Sequence, residues 1–120
     1  MYSARLLDHF QNPRHAGELQ NATVTVRQEN PVCGDILELS AVVRDGVIAE
    51  IRFRAKGCVP SMACASAVCE LASGKSLSSM REISKEDVVE SVGGVPGGSD
   101  HAAQLAVDAL AGLIARSKEK

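Results

Sequence analysis

Apolar and polar residues alternate along positions 22–56, whereas beyond Gly57 the apolar residues recur every three or four positions. This change of period divides the chain into a strand-forming half and a helix-forming half. Val24 and Val26 alternate with Thr23, Thr25 and Arg27, which predicts a strand over 22–28. Leu37, Leu39, Ala41 and Val43 point one way, and Glu38, Ser40 and Arg44 lie between them, which predicts a second strand over 36–44. A third is predicted over 47–56, with Val47, Ala49, Ile51, Phe53 and Ala55 inward and Glu50, Arg52, Arg54 and Lys56 outward. Asp45-Gly46 joins the last two strands as a two-residue hairpin turn, since both positions tolerate positive φ. The alternation implies a sheet with one wet face and one covered face.

The cover comes from helices. Ser3 is an N-cap for a short helix with Leu6, Leu7 and Phe10 on one side, ended by Asn12-Pro13. Residues 14–21 read as loop, and His9 and His15 as exposed or packing histidines. Pro60 suits the first turn of a helix that runs to about Ser73 and stops at Gly74. Its broad apolar arc contains Cys64 and Cys69, which read as core thiols, and its polar side is Ser66, Glu70 and Ser73. A short turn or helical piece follows over 76–81. Ser84 caps a helix over 85–92 with Glu86 and Asp87 in its first turn. Residues 93–98 form a glycine-rich connector. Ser99 or Asp100 then caps a last helix to about Arg116, whose buried stripe is Ala102, Leu105, Ala106, Ala109, Leu110, Leu113 and Ile114. The final residues, 118–120, are expected to fray. Strands followed by helices indicate an α+β fold rather than a wound parallel sheet.

Composition narrows the picture. A chain of 120 residues supports one domain, 1–120, with a modest core. One Tyr, two Phe and no Trp leave that core to Val, Leu, Ile and Ala. A net charge of -2 without long like-charge runs argues against nucleic-acid binding by bulk electrostatics. The first ten residues carry charges and lack an apolar signal region, and no window approaches the roughly 20 apolar residues of a membrane span. A cytoplasmic location is therefore expected, where the four cysteines stay reduced. None of their spacings is C-x-x-C, which removes a thioredoxin-like redox motif.

Four groups with ligand chemistry fall at element boundaries: Cys33, Asp35, Cys58 and His101. Cys58 precedes a helix, whose N-terminus favours thiolate over thiol, with Lys56 nearby. Two sulfurs, an imidazole and a carboxylate suit tetrahedral zinc. They also suit an iron–sulfur cluster, in which histidine can replace a cysteine. The separations match no compact ligand pattern, so a metal site and a set of unrelated polar residues stand as even alternatives on spacing alone.

Beyond spacing, four ordered motifs are familiar. Asp8-His9-Phe10-Gln11-Asn12-Pro13-Arg14 with Gly17, Pro31-Val32-Cys33-Gly34-Asp35, Gly57-Cys58 opening a small-residue helix that ends at Gly74-Lys75-Ser76, and His101 followed by Leu105-Ala106-Val107-Asp108-Ala109-Leu110 together resemble the IscU/NifU-type iron–sulfur cluster scaffold family over nearly the whole chain. The resemblance implies a three-stranded antiparallel sheet with helices packed on one face. It implies a transient [2Fe–2S] cluster, iron or zinc held among Cys33, Asp35, Cys58 and His101, a cysteine desulfurase that delivers sulfur, and acceptor proteins that take the cluster. No enzymatic turnover is expected of such a scaffold. No insertion follows Gly74-Lys75-Ser76, which is closer to the IscU branch than to SufU. Three departures stand out. The family's cysteine directly after the histidine is Ala102, its usual lysine two residues before is Ser99, and the segment read by its chaperone is reduced to Val95-Pro96-Gly97-Gly98-Ser99. Chaperone binding therefore draws little support. Cys64 is a poor substitute for the absent thiol, about 9 Å of helical rise from Cys58. Two other readings remain beside the scaffold: a zinc-binding partner or regulator of a desulfurase that builds no clusters, and a persulfide sulfur-transfer protein using Cys33 or Cys58 as nucleophile with His101 as base.

Overall fold

The Asp45-Gly46 turn has positive φ at both residues, 54° and 75°, as a tight hairpin between right-twisted strands requires. It pairs β2 (Asp35–Arg44) with β3 (Val47–Lys56), and β1 (Val24–Asn30) lies antiparallel on the other side of β2. The result is a three-stranded antiparallel sheet in the order β1-β2-β3. The computed structural model describes residues 2–31, 34–97 and 99–118, the side chain of Lys118 excepted. The helices are α1 (Ala4–Gln11), α2 (Val59–Ala72), α3 (Leu77–Met80), α4 (Lys85–Ser91) and α5 (Asp100–Lys118). Among the described residues no helix is long and apolar enough to cross a membrane.

The α+β class follows the sequence pattern, and so do most helix boundaries. Ser3 accepts from Leu6 N–H, and Ser84 forms a full capping box with Asp87. Gly74 takes positive φ just past α2, as a helix C-terminus favours. α5 and α2 pack together on the apolar side of the sheet, with α1 against α2 and α4 against α5. Every residue of the expected α5 stripe is buried, and Cys64 and Cys69 are core thiols. Burial pushes the Cys64 thiol up to about 12 and raises Cys69 as well, so neither is a ready nucleophile or ligand.

The third strand departs from simple alternation. Ile48 is fully buried whereas Val47 and Ala49 are exposed. Val42 pairs with Glu50 but Val43 pairs with Ile48, so Ala49 is an extra residue, a β-bulge. The bulge reverses the side-chain phase, and Ile48 joins Ile51 and Phe53 in the core. The first strand also runs two residues later than expected, because pairing with β2 continues to Asn30↔Asp35. The free side of β3 is met by two other segments. Phe53 N–H donates to His15 O and Gly17 N–H to Phe53 O; near the turn, Ile48 N–H donates to Lys75 O and Gly74 N–H to Ile48 O.

Helix α1 buries only part of the face its apolar residues mark, Leu6 fully and Phe10 in part. Leu7 is exposed, and His9 is buried in its place. His9 Nδ1 lies 2.9 Å from Ser66 Oγ, which also accepts from Arg14 N–H at 2.8 Å. Ser66 is therefore covered by α1 rather than lying on a polar side of α2. Burial chiefly, and the Arg14 charge secondarily, hold the His9 imidazole below its ordinary value near 6.5. The unfolded chain then takes up the proton first as pH falls. Stability from neutral His9 is full above about pH 6.5 and is lost as pH drops through the lowered folded value. The urea midpoint is expected to fall between pH 7 and pH 5. His9→Gln, which keeps an amide facing Ser66, should flatten that part of the pH profile.

Candidate metal centre

Three elements begin at one place. Asp35 opens β2, Cys58 is the N-cap of α2, and His101 lies in the first turn of α5. Cys58 Sγ makes no cap hydrogen bond to its helix; it meets Ser61 Oγ, Asp35 and His101 instead. Cys58 Sγ lies 3.8 Å from Asp35 Oδ2 and 4.0 Å from His101 Nε2, and His101 Nε2 lies 3.5 Å from the same carboxylate oxygen. Donor atoms at ordinary zinc distances stand about 3.3–3.7 Å apart on a tetrahedron, so a contraction of a few tenths of an ångström would close three donors on one ion. Among the described residues these three form the grouping of Asp, Glu, Cys and His close enough to hold a metal. Thiolate, imidazole and carboxylate are a donor set that fits zinc or ferrous iron and an iron–sulfur unit. Cys33 lies outside the described residues; its neighbour Gly34 borders the same cleft as Asp35.

The three groups differ in exposure. Asp35 is 4% exposed, His101 is half-buried and Cys58 is exposed. The cleft they share, about 600 Å³, is also lined by Tyr2, Lys56, Gly57, Pro60 and Ser99. Asp35 is held on both sides. A Cβ at position 57 would overlap Asp35 Oδ1 and lie 2.8 Å from its Cγ, so Gly57 gives the carboxyl its room. On the other side Ser61 Oγ donates to Oδ2 at 2.6 Å. Ala102, beside His101, is 1% exposed.

The sequence pattern named Asp35, Cys58 and His101, and the fold brings them together. It passed over Tyr2, a single aromatic at the chain start with nothing to mark it. It also passed over Ser61, whose signal was its place three residues after Cys58, one helical turn on and so on the same side as the N-cap. Gly57 stands in the Gly57-Cys58 motif, with nothing in the sequence to show that it makes room for the Asp35 carboxyl.

A three-stranded α+β domain with a thiol, a carboxylate and an imidazole gathered where a strand and two helices begin is the class that fold and site define. The family described as NifU-like N terminal domain matches residues 1–120. The iron-sulfur cluster assembly scaffold protein IscU 1 of Archaeoglobus fulgidus is 39% identical over 110 residues, covering 92% of this chain and 72% of that protein. The scaffold protein IscU of Escherichia coli K12 is 36% identical over 123 residues, covering 99% and 95% respectively. The structure of a NifU-like protein (N-terminal) from Brucella abortus matches with a TM-score of 0.80 at 20% identity, over 98% of this chain and 94% of that one, a likeness of fold. The chain belongs to the NifU-like N-terminal domain family.

Proposed function

We propose that this protein is a scaffold on which an iron–sulfur cluster is assembled and from which it is passed on, with Cys33, Asp35, Cys58 and His101 as its ligands. The observation that carries this reading is the convergence of Asp35 Oδ2, Cys58 Sγ and His101 Nε2 from three separate elements. The cargo is iron with sulfide, as a [2Fe–2S] unit, and zinc is an ion the same donors would take. A cysteine desulfurase supplies the sulfur in this reading, and iron–sulfur apoproteins receive the product. The open cleft suits a transient cargo: Cys58 is reachable from solvent, while the buried Asp35 closes the floor. A carboxylate oxygen holds iron–sulfur iron less firmly than a thiolate does, which favours release. The role is scaffolding rather than turnover.

Anaerobic reconstitution with ferrous iron and sulfide tests this. The wild-type chain should develop visible charge-transfer absorption, and Cys58→Ala should lose most of it while keeping the same far-ultraviolet circular dichroism. Absorption that Cys58→Ala leaves intact would sink the assignment.

A further inference from the structure

We infer that Ser61 is a positioning residue for the metal centre: its hydroxyl fixes the Asp35 carboxylate so that Oδ2 is presented beside Cys58 and His101. The inference rests on the ligand assignment proposed above and adds a residue to it. Ser61 is 5% exposed and sits in the first turn of α2, three residues after Cys58. Its Oγ lies 2.6 Å from Asp35 Oδ2 and 3.2 Å from Cys58 Sγ, so one hydroxyl touches two of the three converging groups. A serine hydroxyl has one proton. Asp35, as a carboxylate, can only accept, so the short contact is a donation from Ser61 to Oδ2. With its proton given to Oδ2, Ser61 Oγ can only accept on the Cys58 side.

The geometry explains why this donor matters. The Asp35 side chain is nearly sealed from water, with Gly57 leaving just enough room on the Oδ1 side. Among the described residues, Oδ2 is met by the side chains of Ser61, His101 and Cys58, of which Ser61 is closest by almost 1 Å. Without the hydroxyl, the buried carboxylate has His101 Nε2 as its best remaining partner. An Asp35–His101 pair would occupy both donors against each other, and an arriving ion would have to break it. Outer partners of ligating carboxylates typically contribute 10–100-fold in metal affinity.

The test is zinc affinity, measured by competition with a chromophoric chelator on the full chain. Ser61→Ala should weaken Zn²⁺ binding by about tenfold or more, and Ser61→Thr, which keeps the hydroxyl, should restore most of the loss. In an Asp35→Ala background, Ser61→Ala should cause no further loss, because the serine acts through that carboxylate. The Co²⁺-loaded Ser61→Ala chain should show an altered ligand-field spectrum, which a loss of stability alone would not produce. Wild-type affinity in Ser61→Ala, or an equal loss with and without Asp35, would overturn the inference while leaving the ligand assignment standing. Zinc binding that Cys58→Ala fails to weaken would overturn both.

Discussion

Ala102→Cys is expected to lengthen retention of a reconstituted cluster by at least the roughly tenfold that even an outer partner of a metal ligand contributes. The reason is chemical. The resemblance to IscU-type scaffolds implies a thiol directly after the histidine, and here the position holds a methyl group. A thiolate is a softer and firmer donor to iron than the carboxylate of Asp35. The site of Ala102 adds a second, opposite effect. It is 1% exposed, in the first turn of α5, so a sulfur placed there must fit a filled volume, at a cost of about 1–3 kcal/mol. The two effects separate cleanly. The apo variant should unfold at lower urea, and its cluster should survive chelator challenge longer. A variant that loses stability and gains nothing in retention would show that a thiol at 102 fills the core without reaching the cargo.

Leu39→Ala should be the most damaging single truncation in the sheet, lowering unfolding free energy by about 2–5 kcal/mol. Leu39 is fully buried on the central strand, paired with Val26 on one side and Phe53 on the other. Small domains have a total of only about 5–15 kcal/mol. The layer over the sheet combines Ala, Val and Cys of α2 with Leu105, Leu110, Leu113 and Ile114 of α5, close-packed so that a cavity fills only if the helices shift. The urea midpoint should fall with an unchanged denaturant slope. A loss under about 1 kcal/mol would mean that the helices collapse onto the sheet and fill the space.

Much of this architecture was legible because binary patterning and turn chemistry agree along the chain. Asp45-Gly46, the Ser84 capping box, Gly74 and the α5 stripe each have a local cause, and each was readable from a few adjacent residues. The errors arose where the cause was not local. The bulge at Ala49 is invisible to a period-two count, since Val47, Ala49 and Ile51 are all apolar and fit an unbroken strand. Ser66 reads as part of a polar helix side and His9 as exposed or packing with no partner named, yet they are each other's partner across 57 positions. For the candidate site, element boundaries drew attention to Asp35, Cys58 and His101, but no spacing rule joins residues 23 and 43 positions apart. Their motifs supplied that link. Ser61 carried no such flag, because a serine in the first turn of a helix has ordinary reasons to be there.

The two segments that meet β3 have a consequence for self-association. A three-stranded sheet ordinarily offers two open edges onto which a stray strand can add. Here His15 to Gly17 engages β3 at Phe53 and Gly74 to Lys75 engages it at Ile48, so backbone groups at both ends of that edge are already taken. Templating of a foreign strand is left to β1. That strand has seven residues, bears Arg27 and Glu29 on its exposed side, and gives its Thr25 carbonyl to Arg116. The sheet thus offers copies of itself one short, charged edge, and growth into fibrils has little to begin from.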